Sequence, residues 1–232
     1  MFELPRTTFA VAICFIAALI LSGFRLWLYW ERRSDVKELT RQQKLELFWI
    51  GFRLDAVIVS RACLPLVVAV LTLPQTLLDA SQLFFGLYLG GLYFTISFAE
   101  IAGTYFFRFY DFRPNYLVFE HGADREVLKT VAKAYPLLRI FFLSLAGAWL
   151  AVLTAQFFGH WVILTDNRMG FWDRGATFLW LLMVGFASRG TFDHRPLNPS
   201  LASFTTHRIA NEIASCGIFN LLYECSQRAK NQ

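Results

Sequence analysis

The length of the apolar runs limits most what this chain can fold into. From Thr7 to Phe24 there is not one charged side chain, and comparable blocks recur along the sequence. A soluble protein spreads its apolar residues at helix or strand spacing, whereas blocks of this length are what a membrane helix needs. The composition agrees: of 232 residues, 56% are hydrophobic, 17% are charged and 25 are phenylalanine, with a mean hydropathy of +0.44. A water-soluble globule, a disordered chain, collagen and a coiled coil are all excluded by those figures. The charge is +5, from 22 basic and 17 acidic residues, and most of it falls between the apolar blocks. That is the pattern of a membrane protein with charged loops, and it gives no sign of a nucleic-acid partner.

The expected fold is all-α: a polytopic bundle of five transmembrane helices with interfacial helices, four if the last block lies in the interface. The blocks are Thr7–Trp30, Phe48–Leu73, Ser81–Phe107, Ile140 to about Leu164, and the shorter Trp172–Ser188. Arg25, Trp27, Tyr29 and Trp30 make an interfacial end for the first, with Arg25 snorkelling. No small-residue cleavage site follows that block, so it stays in the membrane. Glu31–Leu47 reads as a helical surface connector, and Pro74 to Asp79 as a turn. Asp111, Arg113 and Pro114 break the third helix, and Ala123–Ala134 reads as an amphipathic surface helix. Residues 1–188 thus form the membrane domain and 189–232 a juxtamembrane tail. In the tail, Ser200–Glu224 reads as a helix interrupted near Gly217, with Phe204, Ile213, Phe219 and Leu222 available to rest on a membrane surface. Gly86 and Gly90 form a GxxxG, read as ordinary packing. No internal repeat is evident, which weakens a transporter reading.

The second and third blocks carry Arg53, Asp55, Arg61 and Glu100, the candidate site residues. At about 1.5 Å per residue, Arg53 and Asp55 lie about 8–10 Å from the Phe48 end and Glu100 about 10 Å from the Phe107 end. The two blocks run antiparallel, so these three can meet at one depth, with Arg61 about 20 Å in. Around the helix, Asp55 is about 200° from Arg53 and about 120° from Arg61, so each needs a partner on another helix. Three readings stay open: an interhelical ion-pair network, a site for an anionic lipid headgroup at Arg53 and Arg61, or a proton or ion pathway.

Catalytic chemistry is not visible. His121, His160, His194 and His207 are scattered, and there is no HExxH, GxSxG or phosphate-cradling glycine loop. Asp193-His194 and His207 lack the acidic companions of a metal site. Cys14 and Cys63 read as small buried hydrophobes, and Cys216 and Cys225 pair only if the tail is extracytoplasmic.

Three stretches nonetheless resemble a known family. Gly51-Phe52-Arg53-Leu54-Asp55 is similar to a glycine, arginine, aspartate signature early in the second span of lipoteichoic acid synthase-like phosphoglycerol transferases. Tyr105-Phe106-Phe107-Arg108-Phe109-Tyr110-Asp111-Phe112 followed by Tyr135-Pro136 resembles that family's loop after the third span. The tail, with Arg189-Gly190-Thr191, Arg195-Pro196-Leu197-Asn198-Pro199-Ser200, Asn211-Glu212-Ile213-Ala214 and Ile218-Phe219-Asn220-Leu221, resembles the segment after its last span.

The resemblance implies the membrane module of an enzyme that moves phosphoglycerol from a lipid to a glycan, in a bacterial cytoplasmic membrane. In such enzymes a following extracytoplasmic domain of the sulfatase and alkaline phosphatase type holds the threonine nucleophile and a manganese or magnesium ion. No catalytic, cofactor or metal role therefore falls on a residue of this chain, and the expected partners are membrane lipids, anionic phospholipid among them, and a catalytic domain. A gene fragment, an excised piece and a split protein all fit that expectation. The family orientation puts the tail outside, although the Lys and Arg of the connectors and tail favour the reverse. The competing reading is a non-catalytic scaffold or lipid sensor, and behind it a small transporter.

Overall fold

The computed structural model describes residues 6–114, 133, 135–163, 171–190 and 197–231. Every regular element among them is helical: α1 (Arg6–Glu31), α2 (Arg41–Thr72), α3 (Gln75–Ala80), α4 (Gln82–Tyr110), α5 (Leu137–Ile163), α6 (Phe171–Arg189), a 3-10 turn (Pro199–Ala202), α7 (Arg208–Ala214) and α8 (Gly217–Asn231). The all-α class stands. Two helical stretches, Ala12–Glu31 and Leu83–Tyr110, are by themselves long and apolar enough to cross a membrane. The surface helix expected over Ala123–Ala134 lies outside the described residues apart from Lys133, which is helical.

Several boundaries move for local reasons. The second helix starts at Arg41, inside the expected connector, because Thr40 and Gln43 form a reciprocal capping box that satisfies the first-turn N–H groups. It continues through Pro65, which cannot donate to the Arg61 carbonyl; beside that gap the Tyr88 hydroxyl donates to the Ala62 carbonyl at 2.5 Å. The expected turn after Pro74 is the short helix α3. Helix α4 ends at Asp111, which adopts the left-handed conformation (φ 55°) as the break there anticipated.

Helix α1 is the hub. It packs against α2, α4, α5 and α6, burying Ile13, Cys14, Ala17, Leu21, Arg25 and Leu28 along one helical stripe. Cys14 meets Cys63 of α2, and the Tyr93 hydroxyl of α4 donates to the Ile13 carbonyl at 3.0 Å. Helix α6 lies on α2, and α5 on α4. The α4–α5 seam is made of small side chains. Ser144, Ala148 and Ala151 are buried, and a Cβ added at Gly147 would sit 3.3 Å from the Ser97 hydroxyl. Close approach therefore runs through Gly147 rather than through the GxxxG: Gly86 has open space beside it and Gly90 touches only Val152.

Large apolar residues point outward: Phe84 and Leu87 on α4, Phe142 and Trp149 on α5, Phe178 and Met183 on α6. Small residues line the α4–α5 seam while large apolar side chains face outward, as helices packed in a membrane do.

The tail does not lie as a free amphipathic helix. The helix expected over Ser200–Glu224 is interrupted at Ser215 and Cys216, beside the break anticipated near Gly217; its first part is the 3-10 turn and α7, and α8 runs on to Asn231. Ile213 and Phe219, assigned above to a membrane surface, are buried against the bundle together with Ala210, Ala214 and Cys216, while Leu222 stays exposed. Helices α2 and α4 scarcely touch one another, and both contact α8, so the tail fills the mouth between them. Cys216 is buried and Cys225 exposed, both with free thiols; nine residues apart along a helical path, they are separated by about 13 Å of rise, too far for a disulfide.

Candidate functional site

Two buried arginine–carboxylate pairs meet at this mouth. Asp55, on the inward face of α2, receives the Arg25 guanidinium of α1 at 2.5 Å, and both side chains are almost fully buried. The same guanidinium donates to the carbonyls of Ile213 (2.6 Å), Ala214 (2.7 Å) and Ser215 (3.0 Å), and to Gly51 O at 3.2 Å. It therefore caps the C-terminal end of α7, where orphaned carbonyls and the negative end of the helix dipole favour a cation. Gly51 makes this possible. A Cβ there would lie 2.3 Å from Arg25 Nε, so any other residue would push the guanidinium away. Arg25 Nε and Asp55 Oδ2 are left without hydrogen-bond partners, so the pair is tight but not saturated.

The second pair is Arg113 with Glu100, 2.9 Å apart and equally buried. Arg113 also reaches the tail: its backbone N–H donates to the Glu212 carboxylate at 2.8 Å and its Nε to the Glu212 carbonyl at 3.4 Å. Gly103 and Gly217 lie beside Pro114 and Arg113, but here a Cβ would meet its neighbours at 3.7 Å or more, so no glycine is required as it is at Gly51. Burial holds the Glu212 carboxyl above the ordinary glutamate range, an effect partly offset by the Arg113 N–H and guanidinium. Asp55 and Glu100 lie close enough to feel each other's charge. Two acids, two guanidiniums and four consecutive tail carbonyls thus form one buried layer.

Around it runs a more exposed rim. Arg108 makes a two-pronged pair with Glu31 (2.6 and 3.0 Å) and lies over the rings of Trp27 and Tyr105. Arg32 binds Asp111 at 2.6 Å. These contacts join the ends of α1 and α4 on the tail side, and each exposed pair stabilises by no more than about 1 kcal/mol.

Of the four site residues expected from sequence, Asp55 and Glu100 enter the layer, but not with Arg53. Asp55 is paired with Arg25 and Glu100 with Arg113. Arg53 and Arg61 face the other way: Arg53 donates to the Gly190 carbonyl at 3.1 Å and Arg61 to the Ser188 carbonyl at 3.1 Å, both at the end of α6. The reason is the rotation of about 200° between Arg53 and Asp55, which places them on opposite sides of α2. Gly190 sits at this outer corner with φ 73°, and a Cβ there would strike Leu197 and Val57.

Sequence reasoning missed Arg25, Gly51 and Arg113. Arg25 is not the snorkelling end of α1 but a buried residue turned inward, 4% exposed. One signal was available: Gly51 lies four residues before Asp55, on the same helical face, which leaves space beside the acid for a large cation.

Among the described residues no group of three or more His, Cys, Asp or Glu side chains is placed to hold a metal. His207 Nδ1 is buried without a partner, while His160 and His194, with Asp193, fall among residues whose side chains are not described. No protein-family model matches the chain, and no solved structure matches it.

Proposed function

We propose that this chain is the membrane-anchoring, lipid-facing module of a lipoteichoic acid synthase-like phosphoglycerol transferase, resident in a bacterial cytoplasmic membrane, with its tail on the extracytoplasmic side. The observation that carries the reading is where the resembling stretches meet. Gly51 and Asp55 from the first stretch and Ile213-Ala214 from the third meet in the buried layer through Arg25, while Asp111 of the second lies on the exposed rim beside it. Motifs far apart in sequence that converge on one buried layer are bound to one structural task, which is to seat the tail rigidly on the bundle. A catalytic domain of the sulfatase type that follows such a tail would be held at a fixed height over the lipid. The nucleophile and the manganese or magnesium ion belong, in this reading, to that domain.

The same layer supports a reading with five membrane crossings. From Arg25 back to the start of α1, from Arg53 to the end of α2, from Glu100 back to the start of α4 and from Arg189 back to the start of α6, each helix measures 19 or 20 residues. That is about 30 Å, the thickness of a hydrocarbon core. The 27-residue α5 supplies the fifth crossing. On this reading the charged layer marks the tail-side membrane boundary, and the first three turns of α2 project beyond it.

Reconstitution tests the proposal. The chain in phosphatidylglycerol vesicles with manganese should release no glycerol phosphate, and the same chain carrying a sulfatase-type phosphoglycerol transferase domain after Gln232 should release it on the outer side. Release by the chain alone, or a fused domain that gains nothing over the free domain, contradicts it.

A further inference from the structure

Arg53 and Arg61 of α2 are bound to helix-end carbonyls rather than to carboxylates. Among the described residues neither is paired with an acid, and each makes one hydrogen bond, to a terminal carbonyl of α6. A guanidinium has five N–H donors, so among the described residues most of their bonding capacity is unanswered. Arg61 is exposed and Arg53 half-buried, so that capacity is accessible.

The geometry concentrates it. The two side chains leave one side of α2 about 12 Å apart along the helix. They are drawn together onto carbonyls only two residues apart, Ser188 and Gly190, with Val57 packed between α2 and that corner. The α6 dipole offsets the charge of the two arginines only in part, since a helix C-terminus carries about half an elementary charge. Trp49 and Phe52, stacked and exposed one turn before Arg53, supply the aromatic surface that interfacial sites present.

We infer that Arg53 and Arg61 form a phosphate-anion site at the α2–α6 corner, matched to the headgroup of an anionic phospholipid. Guanidinium forks bind phosphate oxygens with charge-assisted hydrogen bonds. The inference rests on the membrane reading alone and not on the transferase reading, so it stands or falls separately from the reconstitution above.

The test uses the full chain purified in detergent with phosphatidylcholine, then given phosphatidylglycerol or inorganic phosphate. Retained lipid is measured by native mass spectrometry and unfolding by thermal melting. Arg61→Gln keeps an N–H where Nε stands and loses the charge, while Arg53→Gln loses the charge and, ending two bonds short of Nη2, the Gly190 contact with it. Each should lower phosphatidylglycerol retention about tenfold, leave phosphatidylcholine retention unchanged, and leave the melting of lipid-free protein nearly unmoved. Arg41→Gln, an exposed cation at the start of α2, should change nothing. If inorganic phosphate protects the wild type and not the double variant while phosphatidylglycerol does neither, the anion site stands with a soluble phosphate as its ligand. Equal retention of both lipids by wild type and double variant, with no effect of phosphate, overturns the site. Loss of lipid-free stability with unchanged lipid retention overturns it equally, and leaves the arginines as caps of α6.

Discussion

Arg25 and Arg113 point into the mouth between α2 and α4; Arg53 and Arg61 point outward across the end of α6. The inner two are buried, each holds a carboxylate at 2.9 Å or less, and each also binds carbonyls of the tail. The outer two bind helix-end carbonyls as well, but without a carboxylate among the described residues and with exposure to their surroundings. Both pairs use the same attraction, of a cation for the negative end of a helix. What separates them is charge balance. A neutral buried cluster is a fastening, because removing one partner strands the other, whereas an unbalanced exposed cluster retains capacity for a ligand.

Breaking the inner pairs should have the largest effect. Arg25→Ala leaves Asp55 buried without its cation and uncaps α7, and should cost about 3–5 kcal/mol, read as a lowered unfolding midpoint in detergent. Arg113→Ala should cost a comparable amount through Glu100. Gly51→Ala comes next: the new methyl occupies the guanidinium's place, and the loss should be about 1–3 kcal/mol by the same measurement. A Gly51→Ala protein as stable as wild type would show that Arg25 has another equally good position, and the comparison would lose its inner half. The outer arginines should matter least for folding. Arg53→Gln or Arg61→Gln should shift stability by about 1 kcal/mol or less, since the first removes and the second neutralises a single hydrogen bond at an accessible helix end.

The smallest effect concerns pH. Glu212 binds its proton more tightly in the docked tail than in a free one, because burial raises its pKa. Its contribution is thus fully present below the ordinary glutamate range and is lost as pH rises through the raised value. Glu212→Gln should remove that slope from a pH series of tail protection measured by hydrogen exchange. A slope of the opposite sign would mean that Arg113 outweighs burial at this site.

How much of this was legible beforehand differs between the same two regions. The helical class and the helix breaks at Pro74 and Asp111 follow from uncharged length and from backbone chemistry, and the structure places helices over all five expected blocks. The need of Asp55 for a partner on another segment was visible as well, since its angle on the helix forbids pairing with Arg53 or Arg61, whereas Glu100 was expected at the depth of Arg53 and within its reach. Which partners they take was not. Helix α1 is apolar on every side, so no periodicity marks the stripe from Cys14 through Arg25 to Leu28 as the buried one. Arg25 therefore read as the end of a span. Arg113 read only as part of a helix break, because its role depends on a tail some hundred residues later, a separation that local pattern does not report. The tail's own pattern misled for a related reason: an apolar face suits a membrane surface and a bundle mouth equally well, and only packing distinguishes them.

Cys216 provides the most direct test that the inner arginines seat the tail. Its thiol is fully buried between the tail and the bundle, and burial also pushes its pKa up, so it should be unreactive while the tail is docked. In a Cys225→Ser background, maleimide labelling of the folded protein followed by peptide mapping should find Cys216 unmodified, and Arg25→Ala should make it label at least about tenfold faster. Rapid labelling of Cys216 with Arg25 intact, or no change on its removal, would contradict the account.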